Sequence, residues 1–261
     1  MYKKIITLLI LVVFVFCGCG KKEKVPNTLD TIMKRGNVII GVRSDVYPFG
    51  YIGKNGKYAG YDIDIANMIG KAIFGENGRV KFVPVTASNR MMKLLSEDVD
   101  MIIAAMSVTR SRMRILDFSD TYYMAGQAVL VRQGSNIKGL RDLNNKRVIV
   151  IFGTSGENSL RLAIPNANII GYKTYQDALQ GLKSGKADAI VSDDTILIGL
   201  SLKDGSVKLL PKRYSREPYA VAFRKGRESD DLIKVVNGVI NESASNGTLR
   251  KLQNNYGIKK Y

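Results

Sequence analysis

The chain of 261 residues has no histidine and only two cysteines, Cys17 and Cys19. Without histidine there is no Ser-His-Asp triad, no His-ligated zinc and no imidazole acid–base chemistry. Because both cysteines fall in the first twenty residues, the rest of the chain has no disulfide, no thiolate nucleophile and no Cys-ligated metal. No motif calls for a metal or a cofactor, and no catalytic residue is expected. Aromatic residues are few, at 8%, yet 45% of the chain is hydrophobic, enough for a globular α/β protein of one or two domains with a true core. Acidic residues are also in deficit, 23 against 40 Lys+Arg, for a net charge of +17. That excess points to an anionic partner: nucleic acid, an anionic membrane or an anionic small molecule.

No apolar run is long enough to span a bilayer, which needs ~20 residues. Ile5 to Phe16 is an apolar stretch broken only by Thr7, preceded by Lys3 and Lys4. This is the pattern of a signal peptide, here residues 1–18. Gly18-Cys19 resembles the lipobox of bacterial lipoproteins, in which the cysteine becomes the lipidated N-terminus. Cys19 fits better than Cys17, which follows the bulky Phe16; the plain alternative is a secretory signal with incidental cysteines. Export argues against nucleic acid. Loss of Lys3 and Lys4 takes the charge from +17 to +15. Residues 19–30 then read as lipid anchor and linker, with Lys21, Lys22 and Lys24 either a basic tether on anionic headgroups or a solvated spacer.

The remainder reads as two rounds of one pattern. Val38 to Val42 is a buried strand, Asp62 an N-cap for a helix carrying Ile65, Met68, Ile69 and Ala72, and Arg79 to Val85 a strand. Asn89 to Leu95 reads as a helix and Met101 to Ala105 as a strand. The second round has strands at Arg147 to Ile151 and Ala189 to Val191. Between them lies a helix with Tyr175, Ala178, Leu179 and Leu182 on one face. Two α/β units imply two lobes with a cleft, and ligands of open α/β sheets bind beyond the carboxyl ends of the strands.

The residues following those strands are polar. They include Arg43, Ser107, Arg112, Gly153-Thr154-Ser155 and Asp193. An arginine fork suits a carboxylate. Gly153 with Thr154 and Ser155 can offer N–H groups and hydroxyls to an anion. A buried ammonium would need a partner such as Asp193. Together they suit a zwitterion, an α-amino acid. Singly, each has a bland reading: a surface charge, a helix cap or a turn.

These motifs, taken in order, resemble the bacterial extracellular solute-binding proteins of family 3, the amino-acid receptors of ABC importers. The resemblance runs from about Leu29 to Gly257. It rests on Gly60-Tyr61-Asp62-Ile63-Asp64, Val99-Asp100-Met101-Ile102, Thr109-x-x-Arg112, Asp117-Phe118-Ser119, Gly153-Thr154, Ala187-Asp188-Ala189 and Glu217-Pro218-Tyr219. It implies a type II periplasmic-binding-protein-like fold, two α/β lobes joined by two crossing segments around a central cleft. Lobe 1 would comprise 31–127 and 215–261, lobe 2 residues 128–214. Carried over, Arg112 would hold the α-carboxylate with Ser107 and Thr154, beside Ala105 and Gly153. Asp193 would take the α-ammonium, Tyr61 and Tyr47 would pack on the ligand stem, and Ser155 would contribute from lobe 2. The stretch Phe82 to Arg90 resembles the glutamate/aspartate subgroup, in which cations at Arg43 and Arg90 face a second carboxylate; glutamine receptors share part of it. Arg90 could instead be a surface arginine paired with Glu97 or Asp98.

The implied activity is a monomeric, lipid-anchored receptor at the cell envelope that closes on a polar L-amino acid, expected to be acidic (glutamate or aspartate), and delivers it to a membrane permease. Two other functions fit the same fold. One is a secreted dehydratase of the cyclohexadienyl or arogenate type, limited to carboxylates, Lys or Tyr for acid–base work. The other is a ligand-sensing subunit.

Overall fold

The structure, a computed structural model, describes residues 28–258. The expected signal peptide, Cys17, Cys19 and Lys21, Lys22 and Lys24 lie outside the described residues.

Two five-stranded sheets frame the molecule. The first has the spatial order Val80–Pro84, Val38–Val42, Met101–Ile103, Glu217–Arg224, Leu116–Ala125. Its first three strands are parallel, and Glu217–Arg224 runs antiparallel to its neighbours. The second sheet repeats the plan with Asn168–Tyr172, Arg147–Ile151, Ala189–Asp193, Gln127–Arg132 and Val207–Leu209. There too the first three are parallel and Gln127–Arg132 is antiparallel to Ala189–Asp193. Parallel neighbours need crossover helices. Tyr61–Phe74 and Arg90–Leu95 serve the first sheet, Gly156–Ala163 and Tyr175–Lys183 the second. The strands read as continuous apolar runs because helices cover them: Met101–Ile103 and Ala189–Asp193 are buried throughout.

Three sequence expectations shift. Asp62 is not the N-cap; Gly60 holds that place. Asp62 is fully buried in the first turn, where Oδ2 accepts the Ala105 N–H at 2.7 Å and Oδ1 accepts the Tyr122 hydroxyl at 3.0 Å. That bond explains the second shift. The strand expected to reach Ala105 stops at Ile103, and Ala105 turns to φ 45°. The third is that the Ala189 strand runs on to Asp193.

The chain crosses from the first sheet to the second at Gly126, between strands ending at Ala125 and beginning at Gln127. It returns between Leu209 and Glu217. The helices Asp230–Ser245 and Thr248–Asn255 then pack back on Tyr61–Phe74 of the first lobe. Phe49 anchors that lobe's core, edge-on to Tyr61, Tyr123 and Tyr219 at 5.6, 5.3 and 5.7 Å between ring centroids.

Candidate functional site

The carboxyl ends of the parallel strands in the two sheets face each other and enclose a small cavity of about 10 Å³, room for about one water molecule. Arg43, Ala87, Arg90, Ala104, Ala105 and Ser107 line it from the first lobe. Thr154, Ser155, Tyr175, Asp193 and Ile196 line it from the second.

Arg112 is nearly buried, on the short Arg110–Met113 helix whose N-cap Thr109 accepts the Arg112 N–H. It is outside the cavity wall proper. Its guanidinium joins two of the loops that form that wall, Nη1 donating to Ser107 O at 2.6 Å and Nη2 to Gly153 O at 3.0 Å. The second of these bonds spans the lobes. Burial lowers the pKa of Arg112, and the carboxylates of Asp193 and Glu217 oppose that shift.

Arg90 is not a surface arginine. It is buried, with Nη1 donating to Ala104 O at 2.8 Å and Nη2 reaching Gly153 O at 3.5 Å, and its Nε has no hydrogen-bond partner. Burial, then the nearby charges of Arg112 and Arg43, bring its pKa down to about 9. Arg43 is likewise buried, but its fork is occupied by Asp45, with two bonds of 2.9 Å. The other face of Arg43 lies 5.8 Å from the Tyr175 ring centroid.

Asp193 ends its strand at the cavity, where the Tyr219 hydroxyl and the Gln127 amide both donate to it. Burial, then repulsion from Glu217, raises its pKa to about 6; Tyr219, Arg112 and Arg90 oppose that rise. Asp62, beneath Ala105, is also pushed up to about 6 by burial. Ser155 Oγ donates across the lobes to Glu217 Oε2 at 3.1 Å and lies 3.5 Å from Ser107 Oγ. Thr154 turns its hydroxyl back to Ile151 O at 2.7 Å.

Gly153 shows why a glycine follows this strand. Its φ is +79°, and an added Cβ would lie 2.5 Å from Ala87 O of the other lobe. Gly199 does the same on the Asp194–Lys203 helix, where a Cβ would lie 2.2 Å from Tyr47 O. Both mark places where the lobes meet backbone to backbone.

The structure corrects the two tyrosines expected on the ligand stem. Tyr61 is fully buried in the first-lobe core, its hydroxyl donating to Tyr122 O at 3.0 Å, because the adjoining core aromatics enclose it. Tyr47 lies outside the cavity wall, edge-on to Tyr51 and below Lys203 of the other lobe. The aromatic in the wall is Tyr175, which helical spacing had assigned to the core stripe. It is buried, yet its hydroxyl is 2.9 Å from Ser192 Oγ and burial pushes its pKa to about 12. Position 175 opens a helix that follows a parallel strand, and that placement was the available signal. Gln127 and Glu217 were also missed as polar groups beside the cavity. Both belong to strands flanking the crossings; Glu217 lies in the Glu217-Pro218-Tyr219 motif, which gave it no site role, and Gln127 lies in no motif.

Within this group, the buried guanidiniums of Arg43, Arg90 and Arg112 face the buried carboxylates of Asp62, Asp193 and Glu217. Asp45 adds a further carboxylate on Arg43. The four carboxylates of this group therefore exceed its three guanidiniums by one formal negative charge.

A family model described as bacterial extracellular solute-binding proteins, family 3, matches residues 38–259. The chain belongs to that family. Family 3 members are extracellular by description, in agreement with export. Among its relatives, the ABC transporter glutamine-binding protein GlnH of Bacillus subtilis is 34% identical over 232 residues, 88% of this chain and 84% of that protein. A glutamate/aspartate import solute-binding protein of Escherichia coli is 29% identical over 236 residues, 86% of this chain and 78% of the other. The crystal structure of the ancestral amino acid-binding protein AncCDT-1, a precursor of cyclohexadienyl dehydratase, superposes with a TM-score of 0.79 at 34% identity. It covers 88% of this chain and 99% of that one. The family 3 fold accounts for the two lobes, the two crossings and the enclosed cavity.

Proposed function

We propose that this chain is the substrate-binding component of an amino-acid ABC importer, closing its two lobes on a polar L-amino acid, with glutamine preferred over glutamate. The observation that carries the reading is one cavity in which Asp193, Arg90, Ser107 and Ser155 converge from both lobes, with Arg112 bridging them. In this reading Arg112 holds the α-carboxylate with Ser107, Thr154 and the Gly153 loop, and Asp193 holds the α-ammonium. Tyr175 flanks the stem, while Arg90, Arg43 and Ala105 border the side-chain end.

The preference for an amide rests on charge. A glutamate expectation treats Arg43 and Arg90 as cations awaiting a carboxylate. Arg43 is already matched by Asp45, and the carboxylates of Asp62, Asp193 and Glu217 already outnumber the remaining guanidiniums of Arg90 and Arg112 without a ligand anion. A neutral side chain adds no further negative charge to that excess. The glutamine-binding relatives, at 34% and 35% identity, support the same choice.

The lobes in this proposal are 31–127 with 215–261, and 128–214. The receptor works as a monomer held at the cell envelope through Cys19, and it docks on a membrane permease. Calorimetric titration with the twenty L-amino acids tests the ligand. Glutamine should bind most tightly, glutamate should bind more weakly, and silence toward every amino acid would overturn the proposal. Metabolic labelling with a fatty acid, lost in Cys19→Ser, tests the anchor.

A further inference from the structure

Asp194 follows the cavity residue Asp193 directly but faces away from the cavity, toward the hinge. It is 1% exposed. Its Oδ1 accepts the N–H of Gly126 at 3.0 Å, and its own N–H donates to Gly126 O at 2.8 Å. Its carboxylate also pairs with the guanidinium of Arg213. Gly126 is the single residue between the two sheets on the outgoing crossing, and Arg213 lies on the returning one. One carboxylate of the second lobe thus grips both crossings. They are also tied to each other, with Gln127 N–H on Ser215 Oγ at 3.0 Å and Tyr214 N–H on Gln127 O at 2.8 Å.

We infer that Asp194 is a positioning residue that clamps the two crossing segments together and to the second lobe, and so fixes the pivot on which the lobes close. The strand registers leave little else free. Ala125 pairs with Glu217 in the first sheet, and Gln127 pairs with Asp193 in the second. Only Gly126 on one side and the stretch 210–216 on the other lie between these ladders. The clamp takes both backbone polar groups of Gly126 and one side chain of that stretch. Rotation is then confined to the links on the first-lobe side, and Arg112, Ser155 and Gly153 come into register in one closed geometry. Without the clamp the two crossings bend independently, and closure reaches that geometry less often.

This rests on reading the chain as a closing receptor, and its test separates the two claims. Asp194→Asn keeps an acceptor for Gly126 and removes the charge on Arg213; Arg213→Met removes the other half of the pair. Each should weaken every bound amino acid by about tenfold, the scale of one charge-assisted bond. The order of ligands should not change, and the double variant should lose little more than either single one. Arg213→Lys, which retains the charge, should recover most of the affinity. Small-angle scattering of the full chain without added amino acid should give a larger radius of gyration for both charge-removing variants. A fall in melting temperature with affinities and radius unchanged would reduce Asp194 to a structural role, and a changed ligand order would make it a ligand contact; either overturns the inference. If the unaltered chain binds no amino acid, the receptor reading fails, and the scattering comparison still decides the clamp.

Discussion

Replacing Gly153 by alanine isolates lobe closure from folding. The residue sits at φ +79°, so any Cβ carries a backbone cost of about 1–2 kcal/mol whether the lobes are open or closed. The second cost exists only when they are closed. The new methyl would lie 2.5 Å from Ala87 O, 2.8 Å from Ala87 C and 2.9 Å from Ser88 Cα, all backbone atoms of the other lobe. No side chain can rotate aside to relieve this. The lobes must part by several tenths of an ångström at that point, and the Arg112 to Gly153 bond of 3.0 Å is stretched with them. Overpacking of this kind costs about 1–3 kcal/mol, which lowers the closed population by roughly 5- to 150-fold. Calorimetry should show that loss for every amino acid, with their order preserved. Thermal unfolding should fall only by the smaller backbone cost. An affinity within twofold of the unaltered protein would mean that this contact is not part of the binding-competent form.

The other predictions address the site's charges. Arg112→Lys retains a cation but loses the fork, so affinity for all amino acids should drop about 100-fold by calorimetry; a loss confined to some ligands would refute the α-carboxylate role. Arg90→Met should weaken glutamate more than glutamine, and equal losses would show that Arg90 does not read the side chain. Asp62→Ala leaves the Ala105 N–H and Tyr122 hydroxyl without partners and should cost about 2–4 kcal/mol in denaturant unfolding. With Asp62 and Asp193 raised from 3.8 to about 6, the folded chain binds protons more tightly than the unfolded one between those values. Their contribution to stability therefore falls as pH rises from about 4 to about 6. Ligand affinity has the opposite sign: Asp193 must be ionised to hold an ammonium, so binding should weaken below about pH 6. A dissociation constant constant from about pH 5 to about pH 8 would count against Asp193.

Much of the fold was legible because its strands carry their own signal. Val38–Val42 and Arg147–Ile151 are β-branched runs with polar residues after them, and burial under helices makes such runs continuous. The repeated helix–turn–strand pattern announced two units. The basic cluster at Arg43, Arg90 and Arg112 was legible as residue types at strand and helix ends. Its partners were not. Arg43 is neutralised by Asp45 two residues on, and Arg90 turns inward, away from Glu97 and Asp98. Tyr61 belongs to a conspicuous motif yet is enclosed by Phe49, Tyr122 and Tyr123.

The sequence by itself determined the fold class, the polar chemistry at the strand ends and the absence of imidazole or thiolate chemistry beyond Cys19. Those properties are local: a residue's type and its place along a strand or helix suffice. Only the tertiary structure decided which charges cancel, which tyrosine reaches the cavity and which carboxylate, Asp193 or Asp194, faces the ligand side or the hinge. These depend on groups far apart in sequence, such as Asp193 with Tyr219 and Asp194 with both Gly126 and Arg213. Burial then sets their electrostatics, and burial is a property of the packed lobes rather than of any segment.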